Sequence, residues 1–151
     1  MRVFESLAEL RPLVGQEIAV SDWVKVTQQR IDQFAEATGD HQWIHVDPQR
    51  AAAGPFGTTI AHGYLTLSML PLFAQSALEF RGVRMAVNYG LNRVRFPSPV
   101  PVDSELRARF KLVALEDIAG NGVQVTTEVT IERKGSDRPV CVAETIARRY
   151  A

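Results

Sequence analysis

A carboxylate and an imidazole lie five residues apart in the motif ATGDHQWIHVDP, which spans residues 37–48. The carboxylate, Asp40, follows a glycine in a predicted turn, and the imidazole, His45, follows shortly after. Such a pair can hold a water molecule between them and exchange protons with it. Downstream, Gly63 in the motif AHG opens an apolar segment, and the free amides at a helix start can bind an oxyanion. These residues indicate an enzyme that moves water on or off a carbonyl-conjugated substrate.

Each of these residues also has a purely structural interpretation. Asp40 directly after a glycine can be a turn residue whose carboxylate bonds its own backbone. His45 stands between two aliphatic residues and can be a core histidine that bonds a backbone carbonyl. Gly63 can be required only for close packing. The neighbours of Asp40 favour the catalytic interpretation, because two histidines and two further acidic or amide residues follow it within seven residues.

The three histidines also raise the alternative of a metal site. His41, His45 and His62 fall within 22 residues, and imidazole is a common zinc ligand. His41 and His45 have the spacing of a helical zinc pair, but Gly39 and Pro48 around them indicate a turn. No glutamate stands between them in the metalloprotease position. We therefore predict that the chain has no metal site and needs no cofactor.

Composition describes an ordinary globular protein. The 151 residues suffice for one domain with its own core, so we assign residues 1–151 to a single domain. Seventeen basic residues balance 17 acidic ones, which predicts neither a nucleic-acid partner nor attraction to an anionic membrane. Charged residues near the N-terminus exclude a secretory segment, so we expect a cytoplasmic protein. The single cysteine, Cys141, lies between valines and is predicted to be a buried thiol on a strand.

One long segment lacks charge altogether. Residues 51–78 contain no Asp, Glu, Lys or Arg, but glycines and prolines interrupt them. The part from Tyr64 to Leu78 reads as one continuous helix, which is too short to span a membrane. A helix that is apolar nearly all round is a buried helix.

The hydrophobic pattern places the remaining elements around this helix. A capping box at Ser6 predicts a helix over residues 6–12, and residues 18–26 read as the first strand. A helix capped by Thr27 ends at Gly39, and a short helix covers residues 48–53. Alternating strands follow, and they are predicted over residues 83–96 (with a bulge near Gly90), 106–114, 123–131 and 139–150.

These elements predict an α+β fold in which a curved antiparallel sheet wraps around the buried central helix. The strand over residues 83–91 is expected at the margin of the sheet, where its amides lack partners. Because exposed edges are usually paired or covered, we expect a homodimer whose sheet continues across the interface.

Three motifs resemble those of the MaoC-like, (R)-specific enoyl-CoA hydratase family, and most closely its NodN-like single-domain branch. They are ATGDHQWIHVDP at residues 37–48, GTTIAHG at 57–63 and RFPSPV at 95–100. The resemblance covers nearly the whole chain and implies a single hot-dog domain. It implies that Asp40 and His45 are the catalytic pair and that the Gly63 amide binds the oxyanion. Some hydratases of the family place a serine along the central helix where this chain has Pro71, so no serine is assigned to the site.

The resemblance implies reversible addition of water to a trans-2-enoyl-CoA, giving the (R)-3-hydroxyacyl-CoA. Coenzyme A would enter only as part of the acyl thioester substrate. Two other functions stay open, a hot-dog acyl-CoA thioesterase and a non-catalytic module that binds acyl thioesters. A thioesterase usually carries a carboxylate on its central helix, and residues 64–78 have none.

Overall fold

The computed structural model describes residues 1–151 and contains eight strands, five α-helices and one 3-10 helix. The strands are β1 (Arg2–Phe4), β2 (Glu17–Val20), β3 (Val24–Lys25), β4 (Leu78–Phe80), β5 (Met85–Arg95), β6 (Glu105–Ile118), β7 (Gly122–Arg133) and β8 (Cys141–Tyr150). The helices are α1 (Gln28–Thr38), α2 (Trp43–Val46), α3 (Pro48–Ala52), α4 (Gly63–Ser68) and α5 (Leu70–Ala77), and the 3-10 helix is Leu7–Leu13.

The main sheet is antiparallel and has the order β2-β6-β7-β8-β5, with β3 also pairing with β6. Strands β6, β7 and β8 form the predicted meander, because each pairs antiparallel with the next strand along the chain. Asn121 at the first turn and Gly135 at the second have positive φ angles of 56° and 79°. Strand β5 precedes β6 in the chain but pairs with β8 in the sheet, so it lies at an edge. The marginal position predicted for this strand is confirmed.

The core lies between one face of the sheet and the helical segment α4–α5. Alternate residues of β6 and β7 point into it, among them Leu106, Leu112 and Ile131, all fully buried. From the helices, Met69 and Phe73 pack against them. The predicted fold class, α+β with an antiparallel sheet packed around a buried central helix, is confirmed. Cys141 is buried at the start of β8, as predicted, and burial raises the pKa of its thiol to about 11.

The prediction of one continuous helix from Tyr64 to Leu78 is wrong. The segment divides into α4 and α5 at Met69, and Leu78 already belongs to β4. Pro71 explains the division, because it has no N–H to offer the carbonyl of Leu67 and its ring would crowd that carbonyl. None of the helices is long and apolar enough to cross a membrane.

The N-terminal region differs from the prediction in three ways. An unpredicted strand, β1, pairs in parallel with β4. The predicted strand over residues 18–26 is two short strands, β2 and β3, that contact β6 in succession. The first helix is a 3-10 helix that contains Pro12, and the Ser6 side chain makes no capping bond. The cap at Thr27, the end of α1 at Gly39 and the bulge near Gly90 are all confirmed.

The core makes a direct prediction about stability. Phe73 is 0% exposed on α5, whereas Phe56 is 44% exposed in a loop. We expect Phe73→Ala to lower the free energy of unfolding by about 3–5 kcal/mol, because it leaves a cavity between helix and sheet. The matched variant Phe56→Ala should cost less than about 1 kcal/mol. Urea unfolding of both variants measures this, and equal losses would contradict the assignment of the core.

Candidate active site

Asp40 is placed by the end of α1. Gly39 has a left-handed conformation with φ 79°, and its amide bonds the Ala35 carbonyl, so the helix stops and the chain turns. The Asp40 carboxylate then caps this turn, because its Oδ1 accepts a hydrogen bond of 3.3 Å from the Gln42 amide. The turn-forming role considered for Asp40 is therefore real. It occupies one carboxylate oxygen and leaves the other available, on a side chain that is 51% exposed.

His45 is buried in the short helix α2, only five residues along the chain from Asp40. Its Nδ1 lies 2.6 Å from the backbone carbonyl oxygen of Ile60. Since a carbonyl only accepts, Nδ1 must carry the proton in this contact, and the neutral ring then keeps a lone pair on Nε2. The bond that a core histidine would make is present, and it fixes the tautomer that a general base requires.

The backbone around His45 is held by an amide side chain from α1. Gln28 donates from Nε2 to the His45 carbonyl at 2.8 Å. Its Oε1 accepts a bond of 2.6 Å from the hydroxyl of Thr59. Gln28 thus connects α1, α2 and the chain that leads into α4. The sequence analysis did not identify it, and no motif marks it.

The chain from Thr59 to His62 is a buried extended segment, which we call the 59–62 segment. On one side the Ile60 amide donates to the Ile44 carbonyl at 3.0 Å. On the other side the Ala61 amide donates to the Val100 carbonyl at 2.8 Å. The segment is therefore anchored on both sides. It brings the Ile60 carbonyl to His45 and the His62 ring to Asp40, and Gly63 follows it directly in the chain.

His62 lies against both members of the predicted pair. Its Nε2 is 3.0 Å from the backbone carbonyl oxygen of Asp40 and 4.0 Å from the carboxylate Oδ2 of the same residue. Its ring stacks on the His45 ring with centroids 3.9 Å apart. Sequence analysis noticed His62 only as a neighbour of Gly63 and as part of a metal alternative. Its contacts with Asp40 and His45 depend on tertiary structure.

Asp40, His45 and His62 each offer one ligand-type atom, and these atoms lie within 4.8 Å of one another. This set replaces the three-histidine set considered from the sequence. His41 is not part of it, because its half-exposed ring points toward Glu36, with 3.6 Å between Nε2 and Oε1. One carboxylate and two imidazoles can hold a water or, in other proteins, a metal ion.

The electrostatics of the site favour a neutral His45. Burial lowers the pKa of His45 below its ordinary value of 6.5, and the neighbouring His62 lowers it further. The hydrogen bond to Ile60 and the charge of Asp40 act in the opposite direction but do not outweigh burial. His45 is consequently a proton acceptor near neutral pH.

Gly63 begins α4 immediately after His62, and its amide donates no hydrogen bond within the chain. A β-carbon at this position would lie 2.8 Å from the ring of Phe96, which is closer than real contacts allow. Close packing is therefore one reason for the glycine, and an amide without an intrachain hydrogen bond, next to His62 in the chain, is a second property of the same residue. Phe96 belongs to the RFPSPV motif, for which sequence analysis gave no role.

Comparisons with known proteins show which family the chain resembles over most of its length. The family model described as MaoC like domain matches residues 9–134. The 3-hydroxyacyl-thioester dehydratase Z of Mycobacterium tuberculosis is 56% identical over 151 residues, which is 100% of both chains. Nodulation protein N of Rhizobium leguminosarum bv. viciae is 47% identical over 93% of this chain and 89% of its own.

Solved structures show the same fold. The monoamine oxidase regulatory protein from Archaeoglobus superposes with a TM-score of 0.78 at 26% identity, over 99% of this chain and 97% of its own. The R-hydratase PhaJ1 from Pseudomonas aeruginosa gives a TM-score of 0.72 at 24% identity, over 97% of this chain and 86% of its own. At 24% identity, the similarity to PhaJ1 shows a shared fold and nothing about function. The predicted hot-dog architecture is confirmed.

The buried position of His45 predicts its titration. We expect its ring to titrate with a midpoint below 6.5, because removal from water disfavours the charged form. The unfolded chain then binds a proton more readily than the native protein, so this burial opposes folding increasingly as the pH falls below about 6.5. Ring proton shifts followed by NMR between pH 4 and 8 measure the midpoint, with His45→Gln to assign the signal. A midpoint above 6.5 would contradict the assignment.

Proposed function

The chain belongs to the MaoC-like dehydratase domain family, and we propose that it reversibly adds water to a trans-2-enoyl-CoA to give the (R)-3-hydroxyacyl-CoA. It is a hydro-lyase, as this membership shows, and the family supports 3-hydroxyacyl thioesters as the substrate class. The coenzyme A carrier and the (R) configuration are the parts that we propose, on the resemblance to (R)-hydratases.

One observation carries the proposal. A half-exposed carboxylate, Asp40, and a buried imidazole, His45, have their polar atoms within 4.8 Å of each other, beside the chain that leads to the Gly63 amide. A water between the two groups can donate one hydrogen to each of them. An amide at the same place can bond the thioester oxygen. These are the groups that addition of water to an enoyl thioester requires.

In the proposed reaction the water oxygen bonds to C3 of the enoyl group while one of its O–H bonds breaks. His45 Nε2 carries the lone pair that accepts this proton, and the Asp40 carboxylate holds the second hydrogen. Electron density moves to the thioester oxygen, where the Gly63 N–H stabilises the developing negative charge. A proton is then delivered to C2 from the same pair, so the net change is one water added. Dehydration follows the reverse sequence.

A cavity of about 480 Å³ has a size typical of ligand sites, and none of Asp40, His45 and Gly63 is among the residues that line it. It lies between the helical segment α4–α5 and the sheet, and most of its lining residues are apolar. Leu67 and Ser68, one turn after Gly63, contribute to its wall. The Ser68 hydroxyl is engaged in its own helix, where it donates to the Tyr64 carbonyl at 2.7 Å. This leaves Ser68 as a wall residue and gives it no part in the chemistry.

The thioesterase alternative requires a carboxylate on the central helix, and this chain has none there. Neither α4 nor α5 contains Asp or Glu, and the nearest acidic residue, Glu79, lies on β4. A binding module without chemistry would not require a buried imidazole with its lone pair kept free beside a carboxylate. Hydration therefore remains the function that the site supports best.

Replacement of the pair tests this function directly. We expect Asp40→Asn and His45→Gln each to lower kcat for hydration of crotonyl-CoA by about a hundredfold or more, since each removes one group that binds the water. The double variant should lose much less than the product of the two losses, because both groups act on one water. Loss of the enoyl-thioester absorbance measures the rate, and chiral analysis of the product tests the (R) configuration.

The matched control is His41→Gln, which changes a histidine on the same turn that lies outside the site. It should retain most of the activity. Losses that multiply in the double variant would show that Asp40 and His45 do not share a water. Full activity in both single variants would exclude the pair from catalysis.

We also propose that the reaction needs no metal ion, because a positioned water and an oxyanion donor suffice for it. Prolonged treatment with a strong chelator, checked by elemental analysis, should leave the rate of hydration unchanged. Loss of activity that zinc restores would contradict this. Asp40, His45 and His62 would then be the first residues to examine as ligands.

Finally, we propose a homodimer whose sheet continues through β5. One edge of this strand pairs with β8 and the other has no partner, and its apolar residues include Val87, which is 43% exposed. Val87→Lys should yield monomers in sedimentation at micromolar concentration, because a charge would then be buried at the interface. The matched variant Val113→Lys, on β6 and 37% exposed, should remain dimeric. A fully active native monomer would contradict the proposal.

A further inference from the structure

His62 is a buried histidine that the proposed reaction does not use. It is 3% exposed, and its ring packs between the rings of Phe34, at a centroid distance of 4.9 Å, and His45, at 3.9 Å. Its Nε2 contacts the Asp40 carbonyl at 3.0 Å, and Gly63 follows it directly in the chain. One side chain therefore touches both members of the catalytic pair and is covalently joined to the third residue.

The hydrogen bonds assign opposite tautomers to the two stacked imidazoles. His45 donates from Nδ1 to the Ile60 carbonyl, whereas His62 donates from Nε2 to the Asp40 carbonyl. The second ring nitrogen of His62, Nδ1, is buried without a hydrogen-bond partner. The alternative tautomer would lose the bond to Asp40 and bury an unpaired donor, so it is strongly disfavoured.

The hydrogen bond from His62 holds the backbone of Asp40, and Asp40 is the member of the pair that is not buried. The Asp40 side chain is 51% exposed and is held only by the Gln42 amide at 3.3 Å. Within this turn, the His62 bond joins the Asp40 backbone to the buried 59–62 segment. Without it, the carboxylate would be free to move relative to His45.

We propose that His62 is a positioning residue, whose Nε2–H holds the Asp40 backbone so that the carboxylate and His45 converge on one water. This inference rests on the proposed function for its kinetic consequence, but its structural content can be tested without substrate. The essential group is the N–H at the Nε2 position. The ring itself serves as packing against Phe34 and His45.

Three substitutions separate the N–H from the ring. Gln places its amide nitrogen at about the reach of Nε2, Asn places it at the reach of Nδ1, and Phe keeps the ring without any donor. We expect His62→Gln to retain kcat within about tenfold of the native value. His62→Asn and His62→Phe should lose about a hundredfold, because a misplaced catalytic group costs on that order. KM should change little in all three, because His62 is proposed to act on Asp40 and not on the substrate.

The control for the polarity change is again His41→Gln, and circular dichroism with thermal unfolding verifies that each variant is folded. Equal losses in the Gln and Asn variants would overturn the proposal, because reach would then not matter. Activity retained in the Phe variant would also overturn it, since packing alone would be sufficient.

A measurement on the native protein decides the question if the variants do not fold. Two-bond ¹H–¹⁵N correlation spectra of the imidazoles at pH 8 distinguish the tautomers of the three histidines. We expect the Nδ1–H form for His45 and the Nε2–H form for His62, with His41→Gln and His45→Gln used for assignment. The Nδ1–H form at His62 would overturn the proposal. Absence of hydration by the native protein would instead refute the proposed function and leave the tautomers as a separate result.

Discussion

The candidate site depends on the double anchoring of the 59–62 segment. Its backbone bonds α2 on one side and the chain at Val100 on the other, and every one of its residues is buried. An unpaired backbone group in this position would be costly, so the bonds fix the path of the segment. The Ile60 carbonyl then selects the tautomer of His45, and the His62 ring meets the turn of Asp40. The Gly63 amide starts α4 at the same point.

The two groups proposed to be catalytic occupy different environments, and this difference suits their proposed roles. His45 is buried, and its lowered pKa keeps it neutral with a lone pair on Nε2. The carboxylate of Asp40 remains half-exposed, where water stabilises its charge. Burial of both groups would penalise the carboxylate, and exposure of both would leave the water without a defined position. The end of α1 places Asp40 at the surface, and the 59–62 segment holds His45 in the interior through the Ile60 carbonyl.

Local signals in the sequence place Asp40 and His45 near each other, and the structure brings their polar atoms within 4.8 Å. Their catalytic roles stay a prediction. The glycine at position 39 ends α1 and the Asp47–Pro48 pair starts α3, as predicted. Between them the sequence indicates a turn, but the structure forms the short helix α2, which carries His45. The strands of the meander could also be predicted, because buried and exposed residues alternate along β6 as far as Leu112, where the pairing with β7 shifts register. The division at Met69 was also visible in principle, because Pro71 is present in the sequence.

What the sequence could not provide is pairing between distant parts of the chain. The parallel pairing of β1 with β4 and the position of β5 beside β8 join residues far apart in the chain, and no local pattern specifies them. The contacts of His62 and Gln28 belong to the same class. Each is an ordinary polar residue in the sequence, and each acquires its role from a neighbour that the fold supplies.

The stereochemistry of hydration in D₂O tests the central claim most directly. Because the Asp40 and His45 groups lie within 4.8 Å of each other, both the hydroxyl and the proton should reach the enoyl group from one face. NMR of the product from crotonyl-CoA should show (R)-3-hydroxybutyryl-CoA with one deuterium at C2, added on the same face as the hydroxyl. Deuterium on the opposite face, or distributed over both C2 positions, would contradict the account.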